Sequence, residues 1–285
     1  MRQLVSMMMA AVALCAGAEY ARAGLLVGES FDGAAYTAGA SLNGLNGGTG
    51  WGDAWTASSH ANFPQDIQSG NLADVPGLVN SGNHARLWAC GNGSVYSKAS
   101  RPFAATIPDA GQTLWLGLQV AANDAKEGPS RFYLRDDGAG DSFLRVRSEA
   151  NTRVQASQDA TLFLGDDNYT PHLILVKIEM SGDAGDENLT YYLDPDLSAA
   201  PTGGTVQSAS WNNGLTGFKW DGPRASTSMA CDMFLDEMRL ATTWQEAVGI
   251  SESSPEVPEP ASAVLVFLGF SAVACRLRRS ARHGR

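Results

Sequence analysis

The chain has 285 residues and a mass of 30.0 kDa, which suits one large domain or two small ones. Hydrophobic residues make up 44% and charged residues 18%, so the chain can bury a core and is not intrinsically disordered. The net charge is −10, and residues 24–259, with 13 basic and 29 acidic side chains, carry −16. Because so acidic a span repels phosphate backbones, the charge argues strongly against a nucleic-acid-binding function.

The first 23 residues have the layout of a secretory signal peptide. Arg2 precedes an apolar run over residues 4–17, and Ala21 and Ala23 place small side chains at the −3 and −1 positions of a cleavage site. We predict cleavage after Ala23, with Ala18 as the alternative site. The other interpretation is a buried N-terminal helix, which nothing caps and which polar residues follow at once.

A short apolar segment and a basic tail end the chain. Residues 250–257 form a Ser/Pro/Glu-rich linker, and residues 261–275 are apolar or small throughout. A helix over 261–275 would be about 22 Å long, which is shorter than the helix of ~20 residues that usually crosses a bilayer. The basic tail of Arg276, Arg278 and Arg279 can snorkel, and the positive-inside rule keeps it in the cytoplasm.

The motif Pro258-Glu259-Pro260, the short apolar helix and the Arg cluster together resemble the PEP-CTERM protein-sorting signal, over residues 258–285. The resemblance implies a Gram-negative envelope and export through the Sec machinery and signal peptidase. It also implies a transient or stable anchor in the inner membrane. There an exosortase would cleave near the motif and release or re-anchor the protein at the cell surface or in extracellular matrix. The alternative is an ordinary single-pass C-terminal anchor.

Short apolar or alternating runs between Gly, Asn, Asp and Pro residues predict an all-β sandwich or barrel in the middle of the chain. The predicted strands cover residues 24–31, 85–88, 95–103, 113–121, 131–135, 143–147, 152–156, 161–164, 172–180, 189–193, 217–220 and 233–241. We expect one short helical turn, capped by a Thr, within residues 242–248.

The period-2 pattern assigns faces to three of these strands. One face of the strand at 113–121 holds Leu114, Leu116, Leu118 and Val120, and one face of the strand at 172–180 holds Ile174, Val176, Ile178 and Met180. In the last strand the pattern places Phe234, Met238 and Leu240 on one face with Asp236, and Met233, Leu235, Glu237 and Arg239 on the other.

Four parts of this region resemble one family of domains. They are Glu29-Ser30-Phe31-Asp32 with the Gly-rich residues 44–51 and Trp55, then residues 96–103, then 172–177 with 191–196, and finally 234–244. Together they resemble the concanavalin A-like, laminin-G-like jelly-roll domains of exported bacterial proteins, over most of residues 24–249. The resemblance implies a jelly-roll β-sandwich, a fold that hosts lectins, glucanases and adhesive modules and therefore does not choose a function.

Two cysteines fall within the exported domain. Cys15 lies in the signal peptide and Cys275 in the apolar segment, which leaves Cys90 and Cys231. A pair of cysteines in an oxidising compartment is a candidate disulfide. The alternative is two separately buried thiols.

An Asp/Gly loop between two predicted strands is the first candidate metal site. Asp136, Asp137 and Asp141 supply hard oxygen donors of the kind that bind calcium. Laminin-G-like domains often carry one such ion. The alternative is that Asp and Gly serve here only to make the turn.

No catalytic residues are predicted. Glucanases of the resembled fold carry Glu-x-Asp-x-x-Glu on one strand, and this chain lacks that triplet. Asp236 and Glu237 are adjacent, so alternation predicts that they point to opposite faces of the sheet and cannot work as a pair. Gly47-Gly48-Thr49-Gly50 opens no basic helix, so it is predicted to be a turn and not a phosphate-binding loop.

Four tryptophans in Gly/Asn-rich segments, Trp51, Trp55, Trp211 and Trp220, are candidates for stacking on sugar rings. The alternative is that these rings pack loops against the sheets. We therefore expect a non-catalytic, glycan-binding surface or matrix module. The alternatives are a divergent glycoside hydrolase or lyase of the same fold and a purely structural matrix component. Because the domain is acidic, the expected ligand is a neutral glycan, or an acidic one bridged by calcium.

Overall fold

The computed structural model describes residues 24–58, 65–72, 82–90, 97–109, 111–122, 130–135, 142–147, 160–163, 170–182, 187–209, 214–222 and 230–250. These residues belong to a unit that ends at Ile250. The predicted signal peptide, linker and sorting signal all lie outside the described residues, as does the predicted strand at 152–156.

The described residues form fourteen strands and one short helix. The strands are β1 (Leu25–Glu29), β2 (Thr56–Ala57), β3 (Gln65–Ser69), β4 (Asn83–Cys90), β5 (Lys98–Ile107), β6 (Thr113–Ala122), β7 (Ser130–Arg135), β8 (Ser142–Arg147), β9 (Ala160–Phe163), β10 (His172–Glu179), β11 (Glu187–Leu193), β12 (Thr205–Ala209), β13 (Leu215–Asp221) and β14 (Ala230–Ala241). The helix is α1 (Trp244–Ala247), and the Thr243 side chain caps it by accepting the backbone N–H of Glu246. The predicted capped turn is therefore confirmed.

The strands make two sheets. One has eight strands in the order β12-β11-β10-β6-β14-β4-β3, with β1 paired to β14, and the other has six in the order β2-β5-β13-β7-β8-β9. The pairings between the described strands are antiparallel, except that of β8 with β9, which is parallel. The two sheets share one buried apolar core, so the predicted all-β sandwich is confirmed.

The inner faces of the long central strands follow the predicted alternation. The shared core contains the four predicted inward residues of β6. It also contains Ile174, Val176 and Ile178 of β10, and Met180 directly after that strand. Leu173 and Leu175 lie on the opposite side of β10, where they pack against Ala247 and Val248 around α1. The short helix therefore covers part of the outer face of the eight-stranded sheet.

The face assignment in β14 is wrong beyond Leu235, because the strand contains a bulge. The register of β14 against β6 shifts between Leu235, opposite Val120, and Met238, opposite Leu118. The extra residue reverses the alternation, so Met233, Leu235, Met238 and Leu240 enter the core. Phe234 lies instead in a small separate cluster with Leu72 and Ala121.

Three strands were not predicted, and they share short length or polar composition. β2 has two residues, β3 reads QDIQS, and β12 reads TVQSA. Each pairs with one longer strand at the end of its sheet. Their pairing is therefore set by the neighbouring strand more than by their own side chains.

The two domain cysteines lie on neighbouring strands. β14 pairs with β4, with Cys231 opposite Ala89 and Cys90 opposite Ala230. The cysteines are thus one position out of register, and their side chains lie outside the described part of the structure. The disulfide stays a prediction. Within the same described ranges no helix combines the length and apolar character needed to cross a membrane.

Candidate functional site

A buried ion pair lies at the end of β1. The Glu29 carboxylate accepts hydrogen bonds from Arg101 Nη1 at 2.6 Å, the Tyr36 hydroxyl at 2.6 Å and Trp55 Nε1 at 3.1 Å. Both charged side chains are fully buried. Burial raises the pKa of Glu29, although Tyr36 and the Arg101 charge oppose that shift. This cluster ties the loop that follows β1 to strand β5, so its role is structural.

The predicted stacking residues Trp51 and Trp55 belong to this cluster. Trp55 is 1% exposed, and Trp51 is half-buried with its Nε1 donating to the Gly28 carbonyl. The Arg101 guanidinium lies 4.9 Å from the Trp51 ring centroid and 5.9 Å from that of Trp55. These rings pack the loop against the sheets, which is the alternative interpretation of their sequence context.

Trp220 does not form a platform with them. Trp220 is fully buried and stacks on Phe132, with ring centroids 5.9 Å apart. Trp211 lies outside the described residues. A sugar ring has no access to Trp55 or Trp220, so those two assignments are corrected to core packing.

The β14 bulge buries two adjacent carboxyl groups. Asp236 is fully buried, and its Oδ2 accepts the backbone N–H of Leu72 at 3.0 Å. The pKa of Asp236 is raised to about 8, chiefly by burial and also by the nearby charges of Glu237 and Asp32, against the opposing effect of the Leu72 hydrogen bond. Burial also raises the pKa of Glu237 to about 7, against the opposing effect of Arg239. Because the bulge puts both Leu235 and Met238 into the core, the two carboxyl groups between them lie on the side of the strand away from the core, and the prediction that they point to opposite faces is wrong.

This pair is nevertheless no glycosidase site. Asp236 and Glu237 are 0% and 2% exposed, so a substrate cannot reach them. A glycosidase needs two carboxyl groups about 5–9.5 Å apart across an open cleft. The bond from Leu72 gives Asp236 a structural role as a hydrogen-bond acceptor.

The described residues contain no group of three or more His, Cys, Asp or Glu side chains that could hold a metal ion. The predicted calcium ligands Asp136, Asp137 and Asp141 lie outside the described residues. Calcium there stays a prediction.

A His–Asp pair lies at the start of β10. His172 Nδ1 is 2.6 Å from Asp194 Oδ2, and Asp194 Oδ1 accepts the backbone N–H of Leu173. His172 Nε2 is buried and has no hydrogen-bond partner within the described structure. Nucleophilic catalysis needs a hydroxyl or thiol at that nitrogen, so this pair does not form a triad with any described residue.

Basic and aromatic side chains occupy the outer face of the six-stranded sheet. Tyr133 donates its hydroxyl to Asp221 Oδ2 at 2.8 Å, and Lys219 Nζ lies 4.0 Å from the Tyr133 ring centroid. Lys219 Nζ is also 3.2 Å from Asp221 Oδ1. Burial and the bond to Asp221 raise the pKa of Tyr133 to about 12, so the phenol keeps its proton and cannot act as a base at neutral pH.

Sequence reasoning did not find this set, because Tyr133 and Asp221 are 88 positions apart and no motif joins them. The signal was present as charge. Lys98 of β5, Arg131 and Arg135 of β7, and Lys219 of β13 all occupy outward positions. That pattern becomes visible only when the three strands are known to be neighbours.

An apolar cavity of about 320 Å³ lies beside β1 and β5. Its lining includes Leu26, Val27, Phe103, Ile107 and Pro108, and no charged residue. It therefore offers no group for acid–base chemistry or for recognising a charged ligand.

No protein-family model and no curated protein matches this chain. Three solved structures are similar to it at low identity. A pseudo β-1,3-glucanase of Mycobacterium tuberculosis is 14% identical, with 77% of this chain and 99% of that chain covered and a TM-score of 0.43. An endo-acting O-glycanase of the human gut microbiota is 11% identical, with the same coverage and a TM-score of 0.42. A xylan-binding domain from Paenibacillus barcinonensis is 10% identical, with 78% and 96% covered and a TM-score of 0.34. All three TM-scores are below 0.5.

Proposed function

We propose that the chain is an exported bacterial surface or extracellular-matrix protein whose β-sandwich binds glycan and does not cleave it. In this proposal signal peptidase and the Sec machinery export it. An exosortase in the inner membrane then recognises Pro258, Glu259 and Pro260. The signal-peptide layout and the sorting motif support these steps. We also propose that the two sheets form a concanavalin A-like jelly roll.

The outer face of the six-stranded sheet carries the non-catalytic part of the proposal. Across its six strands there is a single acidic residue, Asp221, and that carboxylate is engaged by Tyr133 and Lys219. Both hydrolytic mechanisms of glycosidases need a second carboxyl group on the same face. The strands of this face supply charged hydrogen-bond donors but no second carboxyl group, and that composition supports binding over hydrolysis.

Two measurements test the proposal. A glycan array probed with the full chain, with and without calcium, is expected to show binding, and a reducing-sugar assay on the bound glycans is expected to show no release. Sugar release that is lost when Asp221 is changed to Asn would contradict the non-catalytic function. Mass spectrometry of the protein from its native host tests export, for which an intact Met1 is the contrary result.

A further inference from the structure

The two sheets carry opposite charge. The strands of the six-stranded sheet contain seven basic residues and one acidic residue. Those of the eight-stranded sheet contain three basic and seven acidic residues. The strands therefore have net charges of +6 and −4 in a chain whose total is −10. The strands of one sheet are therefore basic and those of the other are acidic, a difference that the sequence total does not reveal.

The basic residues of the six-stranded sheet align in rows across the strands. One row reads Lys98, Asp221, Arg131 and Arg145 across β5, β13, β7 and β8. The next row places Lys219 opposite Tyr133. Strand spacing makes the four-strand row about 14 Å long. The row is long enough to contact several units of an extended polymer.

The positions of these rows in β5, β7 and β13 face outward, because the alternate residues of those strands enter the core. Ala99, Phe132, Leu134, Phe218 and Trp220 are all core residues. Lys98 and Arg135 are exposed, Arg131 is half-buried, and the Lys219 side chain is 27% exposed. Arg101 is the basic residue of β5 that points inward, and it forms an ion pair with Glu29.

Basic residues on the other sheet have carboxylate partners on their own or a neighbouring strand. Arg86 pairs with Asp66 at 2.8 Å, Lys177 with Glu179 at 2.6 Å, and Arg239 with Glu237 at 3.0 Å. On the six-stranded sheet Asp221 is the one acidic residue of the strands, and the outward cations Arg131, Arg135 and Lys219 lie on its own strand or the neighbouring one. The strands of that face therefore carry a net positive charge, which favours contact with an anionic ligand.

Exposed aromatic rings, which would favour other ligands, are missing from the described part of this face. Neutral glycans and single-stranded nucleic acids both use exposed rings for stacking. Tyr133 is only 8% exposed, and the exposed large apolar residues among those described are Leu25 and Val206. Recognition here depends on charge and hydrogen bonds from Lys and Arg.

From this asymmetry we propose that the outer face of the six-stranded sheet binds an acidic polysaccharide directly, without calcium. The inference rests on the proposed glycan-binding function and names its ligand class. It replaces the expectation of a neutral or calcium-bridged glycan, which was based on the total charge. Carboxylate or sulfate groups spaced along the polymer would contact Lys98, Arg131, Arg135 and Lys219.

The test uses the full chain in a calcium chelator and three acidic polymers, polygalacturonate, alginate and dextran sulfate. Each is paired with a neutral counterpart, such as fully methyl-esterified polygalacturonate or dextran. We expect binding to an acidic polymer that its neutral counterpart does not show and that added NaCl weakens. The double variant Lys98→Gln with Arg135→Gln is expected to bind on the order of tenfold more weakly, because two exposed ion pairs are lost.

The matched control is Lys177→Gln. It removes one partly exposed cation from the eight-stranded sheet and is expected to leave binding unchanged. Equal binding of the acidic polymer and its neutral counterpart would overturn the ligand class and leave the glycan-binding function standing. Binding that requires calcium, or that is as tight for single-stranded DNA, would also overturn this inference. No binding to any polymer of either kind would contradict both proposals. A thermal melt of each variant shows that the loss does not come from unfolding.

Discussion

Replacing Asp236 with Asn should make the stability of the domain less dependent on pH. The folded pKa of this carboxyl is raised to about 8 from an ordinary value of 3.8, because the side chain is buried. A raised pKa of an acid stabilises the fold at pH values below the unfolded pKa, and that stabilisation is lost as the pH rises toward 8. Between pH 5 and pH 8 the loss is at most about 4 kcal/mol, from 1.4 kcal/mol per pH unit.

The Asn variant has no proton to lose, and its amide oxygen can still accept the Leu72 N–H bond. Urea unfolding followed by Trp fluorescence, at pH 5 to 8 in chelator, measures both proteins. The free energy of unfolding of the variant is expected to exceed that of the wild type by an increasing margin as the pH rises. Glu237, with a pKa of about 7, should leave some pH dependence in both.

Asp196→Asn is the control, since Asp196 is fully exposed and a hydrogen bond from Ser198 lowers its pKa. It stays ionised from pH 5 to 8 and should change nothing over that range. A wild type that is as stable at pH 8 as at pH 5 would refute the reasoning. So would an Asp236→Asn variant destabilised equally at every pH, since that result would mean the folded carboxyl is ionised and well solvated.

Two other substitutions test how the loop after β1 is held. Arg101→Met leaves the buried Glu29 carboxylate without its cation and should cost about 3–5 kcal/mol in unfolding free energy, with a smaller cost when Glu29→Gln is combined with it; additive costs in a double-mutant cycle would contradict this pairing. Gly50→Ala should lower the free energy of unfolding several-fold more than Gly39→Ala does. Both glycines have positive φ, but of the two only Gly50 would place a Cβ 2.0 Å from a backbone oxygen, that of Leu26. Equal melting temperatures of the two Ala variants would contradict that account.

Alternation along the chain predicted the fold well where strands are long and regular. In β6 the inward residues Leu114, Leu116, Leu118 and Val120 are separated by outward ones without interruption, so a period-2 pattern suffices. In β14 the bulge reverses the inward–outward alternation at Asp236. The strand contains no Gly or Pro from which the bulge could have been predicted. The error in face assignment follows from that one inserted residue.

The structural contacts of the loop after β1 could not be predicted. The ion pair of Glu29 with Arg101 joins residues 72 positions apart, and nothing in either local sequence specifies the partner. Trp55 in its Gly-rich context fits a ligand platform as well as a packed loop, and only its burial distinguishes the two. Local sequence reports strand and turn propensity, whereas this cluster is determined by tertiary contacts.

The candidate binding face was hidden for a related reason. The total charge of −10 favoured a neutral ligand, but a total contains no information on which sheet each charge joins. Once Lys98, Lys219 and Arg131 are placed on adjacent strands, the positive face follows from their register. Assigning strands to sheets is therefore the step that turns the composition into a hypothesis on ligand class.

Zero-length carbodiimide cross-linking of polygalacturonate to the full chain, read by mass spectrometry, tests the central claim most directly. The reaction joins a uronate carboxylate to a lysine amine in contact with it, and the chain has only four lysines. We predict adducts at Lys98 and Lys219, on the six-stranded sheet, and none above background at Lys177, on the eight-stranded sheet. Adducts at Lys177 equal to those at Lys98 and Lys219, or sugar chains shortened by the protein before coupling, would contradict an acidic glycan held without cleavage on the basic face.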